Sequence, residues 1–450
     1  MVAPAPAPLQ PEEARRLRAA QRVAQVLIDA GHEVVIAGGW VRDRQLGRPM
    51  GDIDLASSAS PEQVVALFPR CVEVGAAFGV IKVLEGDDIF DVARFRRDEG
   101  VADGRHPERV LPATLQDDVQ RRDFTINGLV QDPFTHEIRD MVGGLDDLRA
   151  RQVRAIGDPS ERFREDALRL LRGVRFAVTL DFEIEAVTWS AMCEAASSLA
   201  TLSGERVRDE LRKMLLAPKR RRALELLDRS GMLEVILPEV AAMHGVEQPP
   251  EFHPEGDVWI HTLLVVEALP ESVSFELALG AVLHDVGKPP TFVRAPDRIR
   301  FDGHVELGAE MSEAIAKRLR LSRAETRRVV ALVRDHLLFM NVNEMRPSRL
   351  RRLLAEDHFD ELLTLYQADC AGCHGDTAAL PRIRAMQQEL AEQAALPEAL
   401  LNGGDVLAAG VAPGARVGQL LRAAYDLQLE GEFTDKSSAL AWLQAQLTQG

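Results

Sequence analysis

Hydrophobic and polar residues follow different patterns in the two halves of the chain. Between about residues 20 and 150, apolar runs typical of strands (Val34–Ala37, 80–84 and 89–95) are mixed with helical stretches and turn signals. From about residue 160, long amphipathic stretches rich in Ala, Leu, Arg and Glu follow one another, with prolines between them at 218, 238, 250, 290 and 347. We therefore expect an α+β head followed by an all-α remainder.

The composition narrows the class of protein. A chain of 450 residues with 46% hydrophobic residues is long enough for roughly two to four domains. No apolar run reaches the roughly 18 residues of a membrane span, and the first residues lack the basic flank and apolar core of a signal peptide. Four cysteines are too few for a disulfide framework, which agrees with a reducing compartment. These features predict a globular cytoplasmic protein without a membrane partner.

The net charge of −16 would repel a polyanion at long range, so that a nucleic-acid partner would need local basic surfaces. Two basic clusters could provide them. The first comprises Arg206, Arg208, Arg212, Lys213, Lys219, Arg220, Arg221 and Arg222, and the second Arg346, Arg349, Arg351 and Arg352. Solvated helix faces explain either cluster equally well.

The first candidate site begins where the strand predicted at Val34–Ala37 ends. Gly38 and Gly39 permit a tight turn into a helix whose first N–H groups can face phosphates. Asp52 and Asp54 are two residues apart, so that an extended backbone places both carboxylates on one side, roughly 6–7 Å apart, where they can ligate one or two Mg²⁺ ions. Each motif alone is more often an ordinary turn or a solvated strand end; together they predict nucleotide transfer.

Two further segments carry side chains suited to a nucleotide. Residues 121–127 place two guanidiniums, a carboxylate and an amide within reach of phosphates and ribose hydroxyls, although structural Arg–Asp pairing is the alternative. If residues 165–175 form one helix, Asp166, Arg169 and Arg172 share a face. The Asp166 carboxylate accepts hydrogen bonds and the Arg169 guanidinium donates them, a set that matches the Watson–Crick edges of cytosine and adenine. An i,i+3 surface ion pair is the alternative.

Taken in order, these motifs resemble the class II tRNA nucleotidyltransferases, or CCA-adding enzymes, which share their head with bacterial poly(A) polymerases. The residues that carry the resemblance are Gly38-Gly39-x-Val41-Arg42-Asp43, Asp52-x-Asp54, Arg121-Arg122-Asp123-Phe124-Thr125-Ile126-Asn127, Gly143-Gly144-x-Asp146-Asp147-Leu148 and Glu165-Asp166-x-x-Arg169-x-x-Arg172-x-x-Arg175.

The resemblance implies a set of site residues. Asp52 and Asp54 would ligate Mg²⁺, with Asp91 as a third carboxylate. A flexible loop, which in the family helps to switch specificity from C to A, would occupy residues 97–107. Its presence leaves full CCA addition and addition of the terminal A alone both open. The implied nucleotide-binding residues are Gly38, Gly39, Arg42, Arg122, Asp123, Asn127, Asp166, Arg169, Arg172 and Arg175.

The helical half contains a second candidate metal site. His261, the adjacent His284 and Asp285, and the distant Asp369 resemble the HD domain of metal-dependent phosphohydrolases, which implies a divalent metal of unassigned identity. His304 and His336 are placed for a second ion or for phosphate. The alternative is an inactive fold relic with capping and core histidines. Residues 370–374 match the C-x-x-C-H pattern of haem attachment, which we reject because that reaction needs an exported chain.

The motifs together predict a mixed-sheet nucleotidyltransferase head of the polymerase beta-like type, an all-α neck, an HD-type helical body and a helical tail. The expected reaction adds CMP or AMP from CTP or ATP to the 3′ end of tRNA and releases pyrophosphate. Four alternatives remain: an enzyme that adds only the terminal A, a poly(A) polymerase, an HD phosphohydrolase with a binding-only head, and a noncatalytic tRNA-binding protein. The expected segments are a disordered Pro/Ala-rich tail (1–19), the head (20–155), the neck and RNA-binding region (156–245), the HD domain (246–380) and the helical tail (381–450).

Overall fold

A computed structural model describes residues 9–73, 79–101, 107–251, 253–254, 256–342, 344–373, 375, 377–392 and 397–448. The chain divides into two compact units, Met1–Ala241 and Ala242–Gly450. Within the described residues, no helix has the length and apolar character needed to cross a membrane.

The first unit combines strands with helices. Its strands are β1 Val34–Ala37, β2 Asp54–Ser57, β3 Cys71–Glu73, β4 Val80–Glu85, β5 Asp88–Arg94, β6 Arg96–Val101, β7 Pro107–Pro112, β8 Val130–Gln131, β9 Ile138–Arg139, β10 Gln152–Val153 and β11 Glu183–Ile184. Its α-helices are α1 Pro11–Asp29, α2 Gly39–Gln45, α3 Pro61–Leu67, α4 Leu115–Gln120, α5 Gly144–Ala150, α6 Pro159–Glu165, α7 Leu168–Leu180, α8 Ala186–Ala195, α9 Gly204–Leu215, α10 Arg220–Arg229, α11 Met232–Ile236 and α12 Pro238–Ala241. Short 3₁₀ helices lie at Thr125–Asn127 and Ala196–Thr201.

Seven strands of this unit form a mixed sheet in the order β3-β4-β5-β2-β1-β8-β9. The β2–β5 pair is parallel, whereas the other neighbouring pairs are antiparallel. The apolar runs of β1 and β2 are buried because helices cover the sheet, and α4 contributes Leu115 and Val119 to the core beside Val35 and Ala56. The predicted α+β head is confirmed, and its sheet ends beside the candidate site.

The register of the sheet aligns residues in one row across four strands. Asp54 of β2 faces Asp91 of β5, Asp91 faces Lys82 of β4, and Lys82 faces Val72 of β3. Directly opposed residues in neighbouring strands point to the same side of a sheet. Acidic, basic and apolar side chains therefore succeed one another along this row, which is named the cross-sheet row below.

The second unit is almost entirely helical. Its α-helices are α13 Val258–Ala268, α14 Phe275–Leu283, α15 Lys288–Thr291, α16 His304–Arg318, α17 Arg323–Asp335, α18 Pro347–Leu354, α19 Phe359–Gly372, α20 Leu380–Glu392, α21 Gly403–Ala408, α22 Ala415–Glu430 and α23 Lys436–Thr448. A hairpin of β12 Val293–Arg294 and β13 Ile299–Arg300 and a 3₁₀ helix at Leu338–Asn341 complete it. The last helices enclose their own apolar cluster, which includes Val406, Phe433 and Leu443.

Two expectations are corrected here. The tail predicted to be disordered through residue 19 contains the start of α1, because Pro11 at the first turn and Glu13 in a capping box favour a helix from that point; residues 1–8 lie outside the described residues. Much of the predicted loop 97–107 lies in strands, since Arg96–Val101 pairs with Pro107–Pro112. Residues 102–106 lie outside the described residues, so the predicted mobility of this segment stays a prediction.

Candidate active site and metal centre

The glycine turn of the first candidate site has the conformation that the motif predicts. Gly38 caps α2 with φ +75° and ψ −134°, a combination that residues with a side chain rarely adopt. A Cβ atom at Gly38 would meet Arg122 at an ordinary 3.7 Å, so that backbone conformation rather than space requires glycine. The turn thereby directs α2, and with it Arg42, away from the end of β1.

A cleft of about 500 Å³ opens beside this turn. It gathers most of the residues predicted for the head, although they come from the Gly38 turn, α2, β2, the segment 122–127 and the segment from Asp166 through α7. Arg121, the other guanidinium of the 121–127 segment, also lines the cleft, as do Leu168 and Phe176, for which the sequence had suggested no role in the site. The predicted residues that line the cleft are Gly38, Gly39, Arg42, Asp54, Arg122, Asp123, Asn127, Asp166, Arg169, Arg172 and Arg175.

Of the three predicted carboxylates, Asp54 lines the cleft, and Asp91 directly opposes it on β5. Ile53 is buried while Asp52 and Asp54 are exposed, as the alternation along an extended chain predicts. Partial burial of the carboxylate, together with the charges of Asp91 and Asp52, raises the pKa of Asp54 to about 6, although the side chain remains open to solvent. Asp52 and Asp91 themselves do not line the cleft.

Each outer carboxylate has a cationic partner. Arg16 of α1 donates from Nη2 to Asp52 Oδ1 at 2.9 Å, and Lys82 donates from Nζ to Asp91 Oδ1 at 2.5 Å. Burial and the repulsion of the two neighbouring carboxylates together raise the pKa of the central Asp54, and Arg122 and Lys82 offset them only in part. Three neighbouring carboxylates form a hard-oxygen donor set that suits Mg²⁺, whose charge would relieve this repulsion.

The 121–127 segment forms a buried hydrogen-bond network. Asp123 accepts from Asn127 Nδ2 at 3.0 Å and from Arg172 Nε at 2.6 Å, and Arg42 donates from Nη1 to Asn127 Oδ1 at 2.6 Å. Burial alone would raise the pKa of Asp123, but Arg172 and these hydrogen bonds outweigh it and hold the pKa below its usual value. Because its oxygens are occupied, Asp123 orients Arg172 and Asn127 rather than facing the cleft freely.

Arg122 is the cation of this segment with unused hydrogen-bonding capacity. It donates to Asp118 Oδ2 at 2.9 Å, yet its buried Nε makes no hydrogen bond within the described residues. Buried donors without partners are rare in folded proteins and often mark the place of a ligand. Arg122 therefore suits an anionic group in the cleft.

The segment 165–175 is not one helix, which corrects the expectation. α6 ends at Glu165, Asp166 is extended at φ −151°, and α7 begins at Leu168. Asp166 Oδ1 accepts from the backbone N–H of Leu168 at 3.0 Å, a local bond by which aspartate competes with helix. The sequence offered this signal, since aspartate is a frequent helix-start residue.

The break also separates the partners of the predicted Asp–Arg pair. Both oxygens of Asp166 accept from Arg206 Nη2 of α9, at 3.0 and 2.9 Å. Arg169 donates to Glu165 Oε2 at 2.6 Å and to the Arg121 carbonyl at 2.8 Å. The surface i,i+3 ion pair considered as an alternative does not form within the described residues, and each member is held separately while both line the cleft.

Three guanidiniums surround one aromatic ring at the end of the cleft. The Cζ atoms of Arg42, Arg172 and Arg175 lie 5.1, 5.3 and 4.0 Å from the centroid of the Phe176 ring. Glu210 of α9 accepts from Arg175 Nε at 2.5 Å. Cation–π contacts and this ion pair keep the three cations close together despite their repulsion.

Most of the first basic cluster is paired within the protein. Lys213 pairs with Glu210, Lys219 with Asp181, and Arg222 with Asp181 and Glu183. In the second cluster, Arg352 pairs with Asp426 of α22, whereas Arg346 and Arg349 are exposed.

The HD residues converge in the second unit. His261 Nε2 lies 3.0 Å from Asp369 Oδ1 and 3.3 Å from His284 Nε2, which lies 3.2 Å from Asp285 Oδ2. All four predicted ligands thus come together. Two triads have their ligand atoms within 4.8 Å of one another, His261–His284–Asp285 and Asp285–His304–His336, and they share Asp285.

Backbone carbonyls orient three of these histidines. The Nδ1 atoms of His284, His304 and His336 lie 2.7–2.8 Å from the carbonyls of Ala281, Phe301 and Val333. A proton on Nδ1 leaves the Nε2 lone pair for a metal. Burial, reinforced by His284, lowers the pKa of His336 to about 4, so that this ring is neutral near pH 7.

The cluster has unmet polar capacity. The buried Nε2 atoms of His304 and His336 and both Asp285 oxygens make no hydrogen bond within the described residues, although Lys288 Nζ lies 2.7 Å from Asp285 Oδ2. Imidazoles and carboxylates suit several divalent metals. A cavity of about 510 Å³ adjoins the cluster, and its lining includes Asp369, Cys370 and Cys373; His374 of the rejected haem pattern lies outside the described residues.

Three family models match the chain. Residues 34–154 match the poly A polymerase head domain, residues 181–243 the probable RNA and SrmB-binding site of polymerase A, and residues 258–370 the HD domain. The chain therefore contains a poly A polymerase head domain, a polymerase A RNA-binding region and an HD domain. The head and the HD domain imply dependence on divalent metal.

Curated proteins similar to this chain include CCA-adding enzymes. A CCA-adding enzyme of Streptococcus gordonii is 45% identical over 208 residues, which cover 46% of this chain and 52% of that protein. One from Anoxybacillus flavithermus is 40% identical over 227 residues, 50% of this chain and 57% of that protein. The matched segment thus spans about half the length of these curated relatives.

Solved structures extend the fold match over nearly the whole chain. The Bacillus stearothermophilus CCA-adding enzyme in complex with CTP is 25% identical, with a TM-score of 0.72 over 98% of this chain and 99% of that one. The Thermotoga maritima CCA-adding enzyme complexed with tRNA is 19% identical with a TM-score of 0.61, which supports the fold alone.

Proposed function

We propose that this protein is a template-independent nucleotidyltransferase that adds CMP and AMP from CTP and ATP to the 3′ end of tRNA and releases pyrophosphate. The observation that carries the proposal is the cleft, which is lined by the Asp54 carboxylate, by several guanidiniums, and by an acceptor, Asp166, and a donor, Arg169, that suit a base edge. The CCA-adding enzymes among its relatives support the same reaction.

The carboxylates Asp52, Asp54 and Asp91 would hold Mg²⁺, since the donor set is hard oxygen and the pKa of Asp54 is raised by burial and by its acidic neighbours. When bound, the metal lowers the pKa of the attacking hydroxyl and neutralises the leaving pyrophosphate. The protein supplies the carboxylate geometry, with Asp54 beside Asp91 in the parallel pair.

The guanidiniums would bind the triphosphate. Arg122 has an unused Nε donor, and Arg42, Arg172 and Arg175 are gathered around Phe176. Arginine suits this role because its planar fork matches phosphate oxygens. Asp123 would act indirectly, by orienting Arg172.

Asp166 and Arg169 would select the base. Cytosine and adenine present an amino donor beside a ring-nitrogen acceptor, and uracil and guanine present the reverse. Asp166 is held by Arg206, and Arg169 by Glu165 and the Arg121 carbonyl, so that each faces the cleft with restricted freedom. Such preorganisation replaces a nucleic-acid template.

Product sizing tests the proposal. Purified protein is incubated with Mg²⁺, CTP and ATP and three tRNA transcripts that end before the CCA, after one C and after both Cs. Extension of all three to full CCA supports the complete reaction, and extension of only the last indicates an A-adding enzyme. Long A tracts on any RNA would indicate a poly(A) polymerase, and no extension would refute the proposal.

A second activity is supported by the HD cluster, whose orphaned Nε2 atoms beside a cavity suit a resident metal and a phosphate substrate. We propose hydrolysis of phosphate monoesters or 2′,3′-cyclic phosphates there. Incubation with p-nitrophenyl phosphate or 2′,3′-cyclic AMP and Mn²⁺, Ni²⁺ or Mg²⁺ tests it. Loss of turnover in Asp285→Ala supports the assignment, and unchanged turnover refutes it.

A further inference from the structure

The carboxylate cluster has two different sides along the cross-sheet row. Beyond Asp54 in one direction lie β1, the Gly38 turn and the cleft with its guanidiniums. In the other direction lie Asp91, Lys82 and Val72, none of which lines the cleft. The proposed nucleotide site therefore occupies only one side of the carboxylates.

The chemistry of phosphoryl transfer assigns the opposite side to the acceptor. In the transition state the attacking and leaving oxygens are roughly in line across the phosphorus. The guanidiniums lie where the pyrophosphate would leave, so that the attacking 3′-hydroxyl must approach from the side of Asp91 and Lys82. The acceptor strand then passes over β5 and β4.

Lys82 has the hydrogen-bonding capacity that this path requires. An ammonium carries three N–H donors, and Asp91 is its hydrogen-bond partner within the described residues. The side chain is 37% exposed, so that a ligand can reach Nζ without displacing Asp91. Strands in a sheet are roughly 5 Å apart, which places Lys82 two strands, or roughly 10 Å, from Asp54.

Val72 provides an apolar surface next to this cation. It is 53% exposed although it lies in a strand, and it directly opposes Lys82. A sugar or base can pack on such a side chain while a phosphate binds the adjacent ammonium. Neither contact depends on base identity.

We infer that Lys82 binds the last internucleotide phosphate of the tRNA acceptor end, with Val72, one strand farther from Asp54, beneath the penultimate nucleoside. The inference rests on the proposed nucleotidyltransferase function. A sequence-independent subsite suits that reaction, because the terminal base is not the same at all three additions whereas the terminal phosphodiester is. Phosphate contacts position a nucleic acid without reading its sequence.

Steady-state kinetics on a tRNA minihelix that ends in CC, with ATP, tests the inference. In Lys82→Ala the KM for the minihelix rises about tenfold, as expected for one lost charge-assisted contact, while the KM for ATP and the Mg²⁺ requirement stay unchanged. Lys82→Arg restores most of the loss. A raised KM for ATP or an increased Mg²⁺ requirement, with an unchanged KM for the minihelix, would overturn the inference and indicate that Lys82 only positions Asp91.

A modified acceptor locates the contact. A neutral methylphosphonate at the last linkage raises the KM of the wild-type enzyme about as much as Lys82→Ala does, and adds little in that variant, because both changes remove the same interaction. Losses that multiply would overturn the inference.

Arg22→Ala is the matched control. Arg22 of α1 forms an ion pair at 2.6 Å with Glu85, which lies on the same strand as Lys82. This ion pair is comparable with that of Lys82 and lies outside the proposed site. This variant keeps the wild-type KM for the minihelix. Wild-type activity on the unmodified minihelix reports the proposed function by itself, so that inactive wild type refutes the function, and an unchanged KM in Lys82→Ala refutes only the acceptor subsite.

Discussion

The head and the HD domain build their candidate metal sites in opposite ways. In the head, three carboxylates lie near the start of β2, and burial together with their mutual repulsion raises the pKa of Asp54 to about 6. In the HD domain, His284 and Asp285 are fully buried, and backbone carbonyls fix the histidine rings. Although burial opposes it, Lys288 and the histidines hold the pKa of Asp285 well below its usual value.

The two sites differ in what compensates the negative charge of their carboxylates. In the HD cluster, the His336 ring is neutral near pH 7 and Asp285 pairs with Lys288. The ligand atoms are therefore already in position before a metal binds. In the head cluster, Arg122 and Lys82 compensate the charge of Asp54 only in part, and a metal that arrives with the nucleotide triphosphate would complete the compensation. We therefore expect an exchangeable, substrate-associated ion in the head and a resident ion in the HD domain.

The largest expected effect is the loss of transfer in Asp54→Ala. Removing the central carboxylate should lower kcat for nucleotide addition at least about 10³-fold, because it removes the metal that activates the hydroxyl. The HD phosphatase activity of the same variant should remain. Gel assays of tRNA extension, alongside p-nitrophenyl phosphate turnover, measure both; retained extension would contradict the role of Asp54 in the head.

Metal retention tests the comparison directly. After passage through a desalting column with a mild chelator, the protein should keep close to one equivalent of transition metal and lose its Mg²⁺, since buried histidine sites release ions slowly. Elemental analysis measures the content, and Asp285→Ala should reduce it to background. Equal loss from wild type and variant would mean that the HD cluster is not a resident metal site.

Base selection should change in Arg169→Ala. Loss of the donating guanidinium should reduce the preference for C and A over U and G about tenfold, the usual scale for one recognition contact. Competition between the four nucleotides, with products sequenced, measures it. Arg164→Ala changes an exposed arginine of neighbouring α6 and should keep the wild-type preference; unchanged preference in both variants would refute the Asp166–Arg169 hypothesis.

The glycine turn predicts an effect on stability. Gly38→Ala should lower the free energy of unfolding by about 1–3 kcal/mol, because its backbone lies in a region costly for residues with a side chain. Gly51→Ala, at a glycine with nothing within 4 Å and no positive φ, should change it by less than about 0.5 kcal/mol. Chemical denaturation measures the free energy of unfolding of both variants. Equal losses in the two would show that a side chain at position 38 does not strain the turn.

The smallest expected effect concerns acid stability. Burial would raise the pKa of Asp118, but Arg121 and Arg122 outweigh it and lower the pKa. The carboxylate therefore contributes stability above the unfolded-state pKa, near 4, and this contribution is lost as pH falls through the folded-state value. Asp118→Asn should therefore have a lower free energy of unfolding than wild type at neutral pH. This difference should shrink by about 1 kcal/mol between pH 5 and 3, because the wild type loses the contribution of the carboxylate there. For Asp146→Asn, at an exposed residue, the difference in free energy of unfolding from wild type should vary little over the same pH range.

Sequence patterns predicted the parts of the site that depend on local geometry. Gly38, Asp54 and Arg122 could be located because turn, alternation and motif order are properties of neighbouring residues. The partners that hold them could not, since Arg206 reaches Asp166 across 40 positions and Glu210 reaches Arg175 across 35. Such pairs depend on how helices pack, which no local pattern specifies. The break at Asp166 was missed because the spacing of charged residues continues through it.

The contacts around Phe176 also have an evolutionary consequence. Three arginines share one ring, so that a substitution of the ring removes a common neighbour of all three at once. Positions 42, 172, 175 and 176 should therefore vary together among homologues, and a lineage with an aliphatic residue at 176 should also have lost at least one of the three arginines.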